Sequence, residues 1–73
     1  MRVQAFYGAP LTKRERQVVE AARRGVTNKV VAYELGITAS TVGVHLYNAH
    51  MKTGSRTRKQ LFARVRPQRR AHR

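Results

Sequence analysis

Apolar side chains recur along the chain at the three- and four-residue spacing of helices, in four stretches set apart by glycines and polar turns. The first opens at LTKRE, where Thr12 and Glu15 make a capping box that satisfies free amides at a helix start. Val18, Val19, Ala21 and Ala22 follow, until Gly25 supplies a left-handed stop. A second helix is expected from the cap Thr27 through NKVVAYEL to Gly36, with Val31, Ala32 and Leu35 as its inner stripe. A third starts at the cap Thr38 and meets no breaker before Gly54. The fourth starts at Thr57, which with Gln60 forms a second capping box. It carries Leu61 and Val65 on one face and Phe62 to the side, and Pro67 ends it.

Helices two and three are joined only by the short turn around Gly36 and Ile37, the spacing of a helix-turn-helix. Small Ala32 lets the two helices cross closely, Gly36 takes backbone angles other residues resist, and Val42 anchors helix three to the core. The predicted organisation is an all-α, four-helix domain over residues 11–66, with the helix-turn-helix at about 27–46. Residues 1–10 are a short leader whose Phe6 and Tyr7 are expected over the core or a partner surface. Residues 67–73 are basic and nearly without apolar side chains, so this tail is expected to be disordered when free.

Charge narrows the choice of partner. Sixteen Lys and Arg stand against three Asp and Glu in 73 residues, a formal charge of +13, and the usual partner of such a surface is nucleic acid. A merely solubilising surface would carry both signs. No stretch approaches the roughly 20 apolar residues of a membrane span, and no apolar core follows the basic start as in a signal peptide. The chain therefore reads as soluble and cytoplasmic. It has no cysteine to staple it, and its length gives only a modest core.

On helix three, Val42, His45, Leu46 and Ala49 fall on one side, the core face. Opposite lie Ser40, Val44, Tyr47 and Met51, with Gly43 and Asn48 on the shoulders. Such an apolar outer row suggests a surface covered in the functional state. Val44 could touch a thymine methyl, Asn48 could pair with adenine, and Tyr47 could bond a base edge or phosphate. Ser40, Thr41 and Lys29, at helix starts, suit phosphate oxygens. Gly43 is either a tolerated weak point or a place where the helix backbone lies closer to DNA. His45 is expected to be packed and hydrogen-bonded. His50, five residues on, is about 140° away around the helix, so the two share no face for a metal. With so little ligand chemistry, no metal, no cofactor and no enzymatic activity are expected.

The patterns LTKRE, GVTNKVVAYEL, ITASTVGVH and KTGSR, in order and in register, resemble the LuxR-type (FixJ/NarL/GerE) helix-turn-helix domain over residues 11 to about 65. The resemblance is strongest to stand-alone, GerE-like regulators without a receiver or sensing domain. It implies a four-helix fold whose third helix enters the major groove and whose fourth makes a dimer contact, here assigned to Leu61, Phe62 and Val65. It implies base-facing positions at 43, 44 and 47, and phosphate contacts from Lys29, Ser40, Thr41 and Lys52, to which Arg56 is added. It also implies an ion pair between Glu15 and Arg58. Gly43 and Tyr47 stand where relatives are often basic or polar, and Thr53 and Ser55 stand where they are apolar, weakening the anchor between helices three and four. The expected function is sequence-specific binding of double-stranded DNA by a homodimeric transcriptional regulator. The alternative is a module that pairs with another regulator or RNA polymerase; RNA ranks below both, for want of an aromatic stacking platform.

Overall fold

The structure, a computed structural model, describes residues 8–65. They form four helices: α1 (Lys13–Ala22), α2 (Asn28–Leu35), α3 (Ala39–Thr53) and α4 (Arg58–Arg64). The expectations for Phe6, Tyr7 and the tail 67–73 lie outside the described residues. A threonine begins every helix. Thr12, Thr27, Thr38 and Thr57 are each extended, and each hydroxyl accepts the amide three residues on. At α1 the box is complete, with the Thr12 amide donating to Glu15 Oε1 at 2.9 Å. At α4 it is half made, because Gln60 Oε1 accepts from the Arg56 amide at 2.8 Å rather than from Thr57. A φ of −126° at Thr57, against −72° at Thr12, turns that amide away from the helix start.

The turn from α2 to α3 is closed by backbone geometry. Gly36 is left-handed at φ 70°, its amide donates to the Tyr33 carbonyl, and the Ile37 amide donates to the Ala32 carbonyl at 3.0 Å. Glycine takes this conformation without steric cost, so the chain reverses over three residues. α1 ends earlier than its glycine predicts, at Ala22, and a short turn carries the chain to Gly25.

α3 packs against each of the other three helices. The core joins Val18, Val19 and Ala22 of α1, Val31 and Ala32 of α2, Val42, Leu46 and Ala49 of α3, and Leu61 and Val65. This corrects the expected dimer contact: Leu61 and Val65 are 0% and 4% exposed within one copy of the chain, leaving no surface for another. The face they share points inward because α4 must close the core, and only Phe62 remains half-buried at its edge.

Polar contacts set how the helices meet. Glu15, 4% exposed, is held by Lys52 Nζ at 2.6 Å, tying α1 to the end of α3. The Glu15–Arg58 pair is therefore corrected: Arg58 instead donates to Asn28 Oδ1 at 3.2 Å, linking the starts of α4 and α2. The expected weak anchor between α3 and α4 is a polar one. Buried Ser55 has its Oγ 2.8 Å from His50 Nδ1 and 2.9 Å from Thr53 Oγ1, and Arg64 donates to the Thr53 carbonyl.

Candidate nucleic-acid interface

The outer face of α3 follows from what the core takes. With Val42, Leu46 and Ala49 buried, the opposite side turns to solvent: Ser40 is exposed, Val44 is 56% exposed and Tyr47 is 62% exposed. Met51, predicted on the same row, is half-buried at the end of α3, where the Gly8 amide donates to the Lys52 carbonyl. Gly43 lies on the shoulder of the open face. Glycine costs roughly 1 kcal/mol against alanine inside a helix, yet a methyl added here would meet nothing within 4 Å. Packing therefore does not require it.

The other predicted site residues separate into two groups. Lys29 and Arg56 are exposed, and neither side chain makes an ion pair or hydrogen bond among the described residues. Thr41 is half-buried, with its hydroxyl accepting from Thr38 Oγ1 at 2.9 Å and its amide bonded to the same oxygen. Lys52 and Asn48 are turned elsewhere. Lys52 is committed to Glu15, with 11% of its side chain exposed, so its charge is neutralised inside the domain and not presented to a phosphate. Asn48, expected to face bases, is half-buried beside the same carboxylate, on the flank of α3 that packs against α1.

Burial alone would push the Glu15 carboxyl up. The Lys52 ammonium, the Thr12 amide and, more weakly, Asn48 outweigh it and hold the carboxyl below its ordinary range. His45 differs from expectation: it sits at the core's edge, half-buried, and its buried Nδ1 meets no hydrogen-bond partner among the described residues. His45 and His50 do not come together, and no three acidic or histidine side chains group to hold a metal among the described residues.

The electrostatics favour a polyanion. Each of the three acids is paired with a base, Glu15 with Lys52, Glu20 with Arg23 and Glu34 with Arg24, and none lies on α3 or α4. Phosphate approaching the outer face of α3 thus meets no carboxylate on that helix, while Lys29 and Arg56 keep free charge.

Two residues escaped the sequence reading. Arg23 binds the Glu20 carboxylate with both forks at 3.1 Å, donates to the carbonyls of Phe62 (2.9 Å) and Val65 (2.6 Å), and lies over the Phe62 ring. It closes the end of α4 onto α1, and no local pattern signals a partner 39 residues away. Tyr33 is 88% exposed on α2, three residues after exposed Val30. A helical wheel of α2 would have placed both opposite Val31 and Leu35.

The chain matches the family described as bacterial regulatory proteins, luxR family, over residues 9–65. It is 43% identical over 57 residues to the monoamine regulon transcriptional regulator of Klebsiella aerogenes, which covers 78% of this chain and 25% of that protein. It is 51% identical over 45 residues to the transcriptional regulatory protein UhpA of Escherichia coli (strain K12), covering 62% of this chain and 23% of that one. With the spore germination protein GerE of Bacillus subtilis (strain 168) the identity is 43% over 61 residues, and the alignment covers 82% of both. The chain spans about a quarter of the first two relatives. No solved structure matches significantly.

Proposed function

Since the chain belongs to the luxR family of bacterial regulatory proteins and carries its DNA-binding helix-turn-helix, we propose that it regulates transcription by reading a specific double-stranded sequence with α3 in the major groove. The observation that carries this reading is the acid-free outer face of α3, where Val44 and Tyr47 stand open to solvent. In it, positions 43, 44 and 47 face bases, while Lys29, Ser40, Thr41 and Arg56 hold phosphates. Lys52 is left out, because its ammonium is spent on Glu15. Two copies would read half-sites about one helical turn apart. Their contact runs along α4, where Phe62 is the large apolar residue still partly free.

Selection of bound fragments from random duplex DNA tests the proposal. An enriched site with two related half-sites is expected, and no enrichment would defeat it. Tyr47→Ala is expected to lose affinity for the selected site by roughly tenfold or more, the scale of about one good base contact, with little change on random DNA. Equal losses on both would deny Tyr47 a base-reading role.

Removing residues 67–73, which include Arg69, Arg70 and Arg73, should weaken binding to all sequences similarly. Every phosphate that the shortened chain no longer neutralises lowers the slope of log affinity against log salt by about 0.9, so an unchanged slope would show that the tail stays off the DNA.

A second reading draws on Val30 and Tyr33, an exposed apolar pair on α2. Here the module pairs with another regulator or RNA polymerase. A gel shift with genomic fragments at moderate salt separates the two, because a pure protein modulator would retard no specific fragment.

A further inference from the structure

Gly43 sits within α3 with no structural need to be glycine. The described residues with positive φ are Gly8, Gly25, Gly36 and Gly54, so Gly43 has a backbone that any residue could adopt. Space does not demand it either, because the position over its Cα is open. Ser40 lies one turn before it and Tyr47 one turn after, both exposed, with exposed Val44 beside it. Between these side chains the surface sinks to the helix backbone.

What that backbone can offer is limited. Inside a helix the amide and carbonyl are taken up by the hydrogen-bond ladder, so Gly43 presents only its Cα hydrogens, an apolar spot without donor or acceptor. The major groove displays hydrogen-bonding edges and one kind of methyl, the 5-methyl of thymine. A polar base edge pressed onto Gly43 would lose water and gain no partner, which is unfavourable, whereas a methyl loses nothing by leaving water.

Resting on the DNA-reading function above, we propose that Gly43 is a specificity-determining residue that reads by omission: the gap over its Cα, between Ser40 and Tyr47, receives a thymine 5-methyl. The gap lets α3 lie deep enough for Val44 and Tyr47 to reach neighbouring bases. A side chain at position 43 would fill the gap and hold that thymine away.

The test uses the full chain and its selected site, with each thymine replaced in turn by deoxyuridine, a change that removes only the methyl. The wild-type protein is expected to lose about fourfold in affinity at one position of each half-site, the worth of one buried methyl. Gly43→Ala is expected to bind the thymine and uracil duplexes equally at that position, or to prefer uracil, while other thymines keep their effect. The variant should be folded, with Tm raised by about 4–8 °C from the better helix former. If Gly43→Ala keeps the wild-type preference for thymine everywhere, or if the wild-type protein ignores every such replacement, the assignment is overturned and DNA reading stands. If no site can be selected at all, the DNA-reading function falls and the assignment falls with it.

Discussion

Lys52→Met is expected to lower folding stability by about 3 kcal/mol, the scale seen when one partner of a buried pair is removed. The pair qualifies because the side chains of Lys52 and Glu15 are only 11% and 5% exposed and their charged atoms are 2.6 Å apart. The methionine fills much of the space but leaves a carboxylate out of water with no cation. A domain of this size is stabilised by only about 4–11 kcal/mol, so the urea midpoint should fall sharply. Replacing both residues together, Glu15→Gln with Lys52→Met, should recover much of the loss, since no buried charge then remains and the glutamine still accepts the Thr12 amide.

The pH dependence follows from the direction of the Glu15 shift. Its folded carboxyl is held below the ordinary range, so the stabilisation is fully present above the unfolded carboxyl's titration. It is lost as pH falls through the depressed folded value. The gap between wild type and Lys52→Met should therefore narrow on acidification, because protonating Glu15 removes both the ion pair in one protein and the unpaired charge in the other. An unchanged urea midpoint together with a shallower salt dependence of DNA binding would return Lys52 to the phosphate role that the resemblance implied.

Leu61→Ala is expected to cost about 3 kcal/mol, within the range for a buried leucine truncated to alanine. Leu61 is 0% exposed in a single copy of the chain and packs in the core among residues of all four helices. The midpoint shift should therefore be the same at every protein concentration. Were Leu61 a dimer contact instead, the loss would appear only where wild-type dimers persist, and dilution would erase it.

The legible parts of the fold were those written within a few residues of themselves. Each threonine cap acts on an amide three residues away, and Gly36 and Gly54 stop their helices through their own φ. The inner stripe of α3 was readable for the same reason: period alone places Val42, Leu46 and Ala49 together, and all three are buried. Its outer row was readable as the complement of that stripe for Ser40, Val44 and Tyr47. It failed at Met51, which is half-buried rather than open, because a wheel carries no information on what packs beside a helix end.

Partner choice was illegible. Glu15 has sixteen bases to choose from in the sequence, and periodicity carries no distance between elements. Only the crossing of α1 over α3 brings Lys52 to it and sends Arg58 to Asn28. Arg23 reaches carbonyls 39 and 42 residues away for the same reason.

By itself the sequence determined four capped helices, the tight turn between the second and third, and a chain with almost no acid to repel phosphate. Those are properties of local hydrogen bonding, side-chain period and composition, each complete within a helical turn or a sum over residues. Tertiary structure alone decided that Leu61 and Val65 face inward, that Lys52 is withdrawn from the surface, and that Gly43 opens onto empty space. Each of these depends on where a second helix lies, and that position is set by core packing between residues far apart in the chain.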